Sequence, residues 1–173
     1  MRGSARTLRR GHTRTTENLR ALLQAIFVSE LLVPSGEIWL VSPWISDIAV
    51  INNVDGAFTA LEPSWGAREL RLSEILARLA LRGTRVFVET RPDERNRRFL
   101  QRLQAQVRTP TLHVRRSEVL HEKGLLGDHF LLNGSMNFTY NGIQLLDEWV
   151  RFDTDTQAIA EARLAFRARW ESA

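Results

Sequence analysis

Cysteine is absent from the 173 residues, which excludes disulfide frameworks, thiol nucleophiles, cysteine-ligated zinc and iron–sulfur clusters together. Secretion loses support with them. Lysine is nearly absent as well: of 24 basic residues, 23 are arginine and one is Lys123. No apolar run approaches the roughly 20 residues of a membrane span, and no apolar signal segment follows the N-terminal arginines. The sequence therefore reads as that of a cytoplasmic protein with no membrane partner. Internal repeats and low-complexity tracts are missing too. What remains is ordinary for a folded domain, with 43% hydrophobic and 25% charged residues in a length that suits a single core.

The net charge of +4 is unevenly placed. Residues 1–15 hold Arg2, Arg6, Arg9, Arg10 and Arg14 and no acid, leaving a nearly neutral body. The expectation is a basic, flexible arm over 1–15 and a single domain over 16–173; such an arm touches phosphates in some proteins and is merely a disordered end in others. Residues 91–116 are the second basic stretch, at +6. Within it Arg95, Arg98 and Arg102 share one helix side, with Arg115 and Arg116 further on. Such a stripe is either a solvated face or a track for a phosphate backbone. Arginine and lysine serve equally on a solvated face, so a composition drifted almost wholly to arginine marks Lys123 as a place where a compact ammonium is required.

Apolar spacing predicts helices over residues 17–31, 67–82, 93–106 (with Pro92 at its first position) and 155–170. Strands are expected at 37–42, 85–89, 111–114, 124–126, 130–132 and 148–152. Residues 43–66 read as a long irregular loop, flanked by Trp44 and Trp65. Strands and helices alternate early and strands cluster late, which points to an α/β domain with a mixed sheet and helices on both faces.

Residues 121–137 carry the chemistry. They read HEKGLLGDHFLLNGSMN, placing His121, Lys123 and Asp128 in an H-x-K-x-x-x-x-D frame ahead of Gly134, Ser135 and Asn137. Two residues apart on a strand, His121 and Lys123 leave the same face. A tight turn at Gly127-Asp128 brings the hydroxyl and carboxamide of Ser135 and Asn137 to the same end. An imidazole nucleophile, an ammonium and neutral donors suit a phosphodiester undergoing in-line attack.

This segment resembles the signature of the phospholipase D superfamily, H-x-K-x-x-x-x-D followed by G-S-x-N, with five residues between Asp128 and Gly134 where six are common. Residues 42–45 (SPWI) resemble its opening strand and loop, and Glu148 its downstream acid. The motif occurs once, as in bacterial single-motif members, some of them in DNA-modification or phage-defence systems. The resemblance implies a phospholipase D-like α/β/α sandwich and a homodimer with one composite site. It implies a phosphohistidine formed on one His121 while the other protonates the leaving oxygen, with Lys123, Ser135 and Asn137 on the phosphoryl oxygens and no metal cofactor. Glu148 or Asp128 would orient an imidazole.

Simpler fates stand beside these. His12, His113 and His129 read as structural or exposed, and their spacing is poor for zinc. Asp128 is also a natural turn cap, and Trp44, a candidate for stacking on bases, is equally a core residue. Three functions stay open. They are a nuclease acting on DNA or RNA, a non-catalytic or partner-dependent nucleic-acid-binding module, and a lipid phosphodiesterase.

Overall fold

The computed structural model describes residues 5–9, 13–144 and 149–172. Nine strands and five helices follow in order: β1 Ala5–Arg9, α1 Thr13–Leu32, β2 Glu37–Val41, β3 Ala49–Asn52, β4 Glu69–Arg71, α2 Leu72–Leu81, β5 Arg85–Thr90, α3 Glu94–Gln106, β6 Leu112–Arg116, β7 Gly124–Leu126, β8 Leu131–Gly134, α4 Tyr140–Gln144, β9 Trp149–Asp153 and α5 Thr156–Glu171. Seven strands form one sheet in the order β1-β9-β8-β7-β2-β5-β6, and β3 pairs with β4 separately. The β2–β5 and β5–β6 pairings are parallel and the others antiparallel. This is the expected mixed sheet.

Strand alternation explains the two layers around it. In β2, Ile38 and Leu40 belong to a large aliphatic core with α1, α2 and α3, while Trp39 and Val41 face α5 through Ile159 and Phe166. A period of two sends neighbours to opposite faces, and a strand apolar from Ile38 to Val41 must be covered on both. The α5 side is aromatic. Trp39 stacks on Phe87 at 4.0 Å and Phe87 on His113 at 4.6 Å, a ladder of register partners across β2, β5 and β6.

Charges surround the ladder. Glu37, 3% exposed, takes Arg85 and Arg167, while Glu89, 1% exposed, takes Arg169 at 2.8 Å. Burial works against the Glu37 carboxylate, but the bonds from Arg167 and Trp39 outweigh it and hold its pKa below the ordinary value. Both of these carboxylates have arginine partners, as burying an anion demands.

Several expectations change. Residues 67–71 are not helical: Leu70 sits in β4 opposite Ile51, and only from Leu72 does the chain turn helical, with the Arg71 N–H donating to the Glu74 carboxylate. The apolar spacing of a short strand ran in phase with the helix that follows. Pro92 precedes α3 rather than opening it. Asp93 is the N-cap, accepting the Arg95 N–H at 2.9 Å. The loop at 43–66 contains β3 and two short 3-10 turns, Thr59–Leu61 and Pro63–Trp65. Within the basic arm, Ala5–Arg9 is an edge strand antiparallel to β9, where main-chain pairing, indifferent to side-chain charge, decides the conformation.

Candidate active site

Strand directions gather the chemistry at one edge of the sheet. The carboxyl ends of β2, β5, β6 and β8 lie at the same edge as the beginnings of β7 and β9, because β7 runs against β2, β8 against β7 and β9 against β8. Ser42, Arg91, Lys123 and Ser135 are the residues just beyond β2, β5, β7 and β8 at that edge. The carboxyl ends of parallel strands are where α/β sheets open clefts for ligands.

His121 is exposed and Lys123 half-buried. The Lys123 ammonium donates to the His121 carbonyl at 2.8 Å, which holds cation and imidazole-bearing backbone in one unit. Ser135 is clamped across β8 and β9. Its N–H donates to the Trp149 carbonyl at 3.1 Å and its Oγ accepts the Trp149 N–H at 3.0 Å. Accepting that bond leaves the hydroxyl proton to be donated elsewhere. Gly134 permits the clamp, since a Cβ there would come within 3.1 Å of the Val150 Cα and overlap the Trp149 carbonyl oxygen.

Asn137 faces the end of β2. Ser42, fully buried, places its Oγ 2.9 Å from the Trp44 carbonyl and 3.3 Å from Asn137 Oδ1. With Oδ1 turned to Ser42, the Asn137 NH₂ is left as a donor. The segment after β2 is anchored in turn by Asn96, 1% exposed. Its Oδ1 accepts the Ile45 N–H at 2.7 Å and its Nδ2 donates to the Pro43 and Arg91 carbonyls.

Asp128 is placed elsewhere. It stands in the β7–β8 turn, at the far end of the hairpin from Lys123 and roughly 15 Å along the strand by its rise per residue. Its Oδ2 accepts the Gly36 N–H at 2.6 Å, its N–H donates to Ser35 Oγ at 2.8 Å, and its Oδ1 pairs with Arg163 at 2.9 Å. That is the turn-capping role, and it gives Asp128 no contact with the His121 imidazole. Glu148 lies outside the described residues.

The arginine stripe divides in the structure. Arg102 pairs with Asp47, itself 3% exposed, at 2.9 Å. Arg115 reaches Glu89 and the Arg169 carbonyl on the α5 side. Those two side chains are committed to holding the fold. Arg95 is exposed but bound to Asp93 through two bonds, and these, with the Arg95 N–H and Trp44, hold the Asp93 carboxyl well below the usual range. Arg98 and Arg116 are exposed. Arg116 lines a cleft of about 380 Å³ with Arg97, Gln101 and Gln104.

Trp44 is half-buried, with Nε1 donating to Asp93 at 3.0 Å and the Arg95 guanidinium 4.4 Å from its ring centroid. Arg91 and Asn96 are residues whose contribution the sequence did not single out, and Ser42 entered only as part of the SPWI resemblance. Arg91 counted only toward the +6 stretch, and nothing local distinguishes a buried hydrogen-bonding Ser or Asn from a surface one. Among the described residues no three His, Asp or Glu side chains converge as a metal site would require, and no helix is long and apolar enough to cross a membrane.

No family model and no curated protein matches the sequence. Solved structures do. NucT from Helicobacter pylori superposes with a TM-score of 0.64 at 14% identity, over 98% of this chain and 97% of that one. Nuc from Salmonella typhimurium, a phospholipase D family member, gives 0.61 at 13% identity over 97% and 94%. Phosphatidylserine synthase from Haemophilus influenzae gives 0.58 at 16%, covering 96% of this chain and 38% of that one. The mixed sheet with helices on both faces and the nearly full-length superposition on NucT and Nuc agree: this chain has a phospholipase D-like fold.

Proposed function

We propose that the protein is a metal-independent phosphodiesterase, most directly a nuclease, working as a homodimer with one composite site. The observation that carries this is the separation of the motif into two ends. His121, Lys123, Ser135 and Asn137 collect at the strand edge where ligands bind, with donors left to give, while Asp128 is fully occupied in the opposite turn.

The reaction follows from those groups. A ring nitrogen of His121 attacks phosphorus in line, forming a P–N bond as the P–O bond to the leaving group breaks. The leaving oxygen takes its proton from His121 of the partner subunit. Water then attacks the phosphohistidine, giving up its proton to that same partner histidine, and the P–N bond breaks to restore His121. Lys123, the Ser135 hydroxyl and the Asn137 amide bind the non-bridging oxygens, where charge accumulates in the transition state. One motif per chain supplies one histidine, so two copies about a two-fold axis complete the pair.

Nucleic acid is the favoured substrate because exposed Arg98 and Arg116 lie toward the same edge, and an archaeal chromatin protein described as binding DNA, TrmBL2, shares the fold at a TM-score of 0.58 and 14% identity. The test is cleavage of labelled single- and double-stranded DNA and RNA in EDTA. Activity is expected to survive chelation; loss in EDTA with rescue by magnesium overturns the mechanism. Mixing wild-type and His121→Ala chains one to one, with free exchange, should leave about a quarter of the activity of the same total of wild type. Independent sites leave about half. Binding without turnover by any nucleic acid would favour the module reading instead, including dependence on partner proteins of a DNA-modification or defence complex.

A further inference from the structure

Arg91 is the first residue after β5, and three contacts fix it. Its N–H donates to the Pro43 carbonyl at 3.3 Å, its Nε donates to the Leu120 carbonyl at 2.7 Å, and its Cζ lies 5.7 Å from the Trp44 ring centroid. Leu120 is the residue before His121, so the guanidinium is tied to the segment that carries the imidazole. Its terminal NH2 nitrogen then lies 3.1 Å from His121 Nδ1 and 3.1 Å from His121 Nε2.

Equal short distances to both ring nitrogens decide the geometry. In the plane of the ring the Cε1 atom would stand between them and the approaching group, so the nitrogen lies across the ring face. Stacked there, it blocks neither nitrogen's in-plane direction. One remains open to attack phosphorus and the other to an orienting acceptor.

The chemistry of the pair points further. Arg95, Arg97, Arg102 and Arg115 each pair with a carboxylate. Among the described residues no carboxylate pairs with Arg91, although its Nε is held by the Leu120 carbonyl at 2.7 Å. A pre-positioned guanidinium beside a nucleophile, with N–H donors unspent, is built to receive an anion that arrives with the substrate.

We propose that Arg91 is a phosphoryl ligand of this site. As the P–N bond to His121 forms, the non-bridging oxygens of phosphorus come to lie next to that ring nitrogen, within reach of the Arg91 NH₂ groups. Arg91 donates hydrogen bonds and transfers no proton; the leaving oxygen is still protonated by the partner's His121. Because negative charge on those oxygens is greatest as the bond forms, the contact strengthens toward the transition state and acts on kcat more than on KM. Trp44 contributes as the wall that keeps the guanidinium over the ring, which makes it a positioning residue. This assignment rests on the phosphodiesterase reading above.

The test compares wild type, Arg91→Gln and Arg91→Lys on bis(4-nitrophenyl) phosphate in EDTA, with melting temperatures measured beside the kinetics. Arg91→Gln is expected to lose about 10²–10³-fold in kcat, the usual effect of removing one transition-state donor. KM should change by no more than about threefold. Arg91→Lys should fall between the two, and millimolar guanidinium ion should restore turnover to Arg91→Gln while leaving wild type unchanged. A merely structural arginine would not show that rescue. An Arg91→Gln protein with kcat within about threefold of wild type overturns the assignment, as does a loss that neither guanidinium nor the lysine variant repairs. Wild-type protein inactive on every phosphodiester tested overturns the functional reading and this one with it, whereas an active wild type with a tolerant Arg91→Gln overturns the role of Arg91 alone.

Discussion

The two ends of the β7–β8 hairpin, only a few residues apart in sequence, are built on opposite principles. At the closed end the carboxylate, hydroxyl and terminal guanidinium groups are spent on the fold. Asp128 accepts from Gly36 and pairs with Arg163, Ser35 Oγ accepts the Asp128 N–H and donates to Glu30, and Arg163 also reaches the Gly127 carbonyl. At the open end the same kinds of group keep something in reserve. Ser135 has a hydroxyl proton to give, Asn137 an amide, Lys123 two further N–H bonds and Arg91 its terminal nitrogens. A satisfied network fixes geometry, and a site needs donors unspent on a frame that is already fixed. One motif supplies both.

The comparison breaks most visibly at Lys123. Lys123→Arg keeps the charge but exchanges a compact ammonium, seated on the His121 carbonyl, for a longer planar fork. Turnover should fall by about 10²–10³-fold in a steady-state assay while the melting temperature holds. Near-normal turnover would make the single lysine an accident of composition and erase the contrast at its chemical end.

Asp128→Ala probes the other end and should do the reverse. It leaves the Gly36 N–H without its acceptor and Arg163 without its carboxylate. The expected loss is about 0.5–1.5 kcal/mol of stability in denaturant unfolding, with kcat measured at saturating substrate changed by less than about twofold. A kcat collapse in a protein that remains folded would return Asp128 to the chemical half of the motif.

The smallest effect belongs to Glu30, which receives the Ser35 N–H at 2.8 Å and the Ser35 hydroxyl at 2.9 Å behind the turn. Burial raises its pKa above 4.5, against the lowering by those two bonds. A carboxyl raised in the folded state favours folding below its unfolded pKa, and that contribution is lost as pH rises through the folded value. Wild type should therefore lose stability relative to Glu30→Gln as pH is raised from about 4 toward neutral, read from paired unfolding curves. A difference that is flat with pH, or that grows in favour of wild type, would show that the carboxylate's bonds outweigh its burial.

The elements legible in advance were those with one consistent local signal. Residues 37–41 announce a doubly buried strand because four apolar side chains in a row, Ile38 to Val41, alternate between the two cores. The last helix, expected over 155–170 from its apolar spacing, runs over Thr156–Glu171, with Asp155 as its cap rather than its first residue. Where two local signals overlap, the elements are not separable by sequence. The short strand β4 merged with the helix that follows it, and β1 hid among arginines because edge pairing uses main-chain groups that composition does not report. The basic stretch at 91–116 reads as one feature along the chain, yet Arg102 and Arg115 turn to opposite sides of the sheet to meet Asp47 and Glu89.

By itself, then, the sequence determined the α/β class, the alternation that covers both sheet faces, and the identity of the chemical groups at His121, Lys123, Ser135 and Asn137, since each depends on residue type and short spacing. The turn at Gly127-Asp128 was legible too, but tertiary structure alone decided what fills it: Gly36 and Arg163 take up the Asp128 carboxylate. Tertiary structure also brought Arg91, thirty residues upstream, across the face of the His121 ring, and set Ser42 behind Asn137. The reason is strand direction: β2 and β5 run parallel while β7 returns against them, so groups distant in the chain end at one edge, and no local pattern encodes which edge that is.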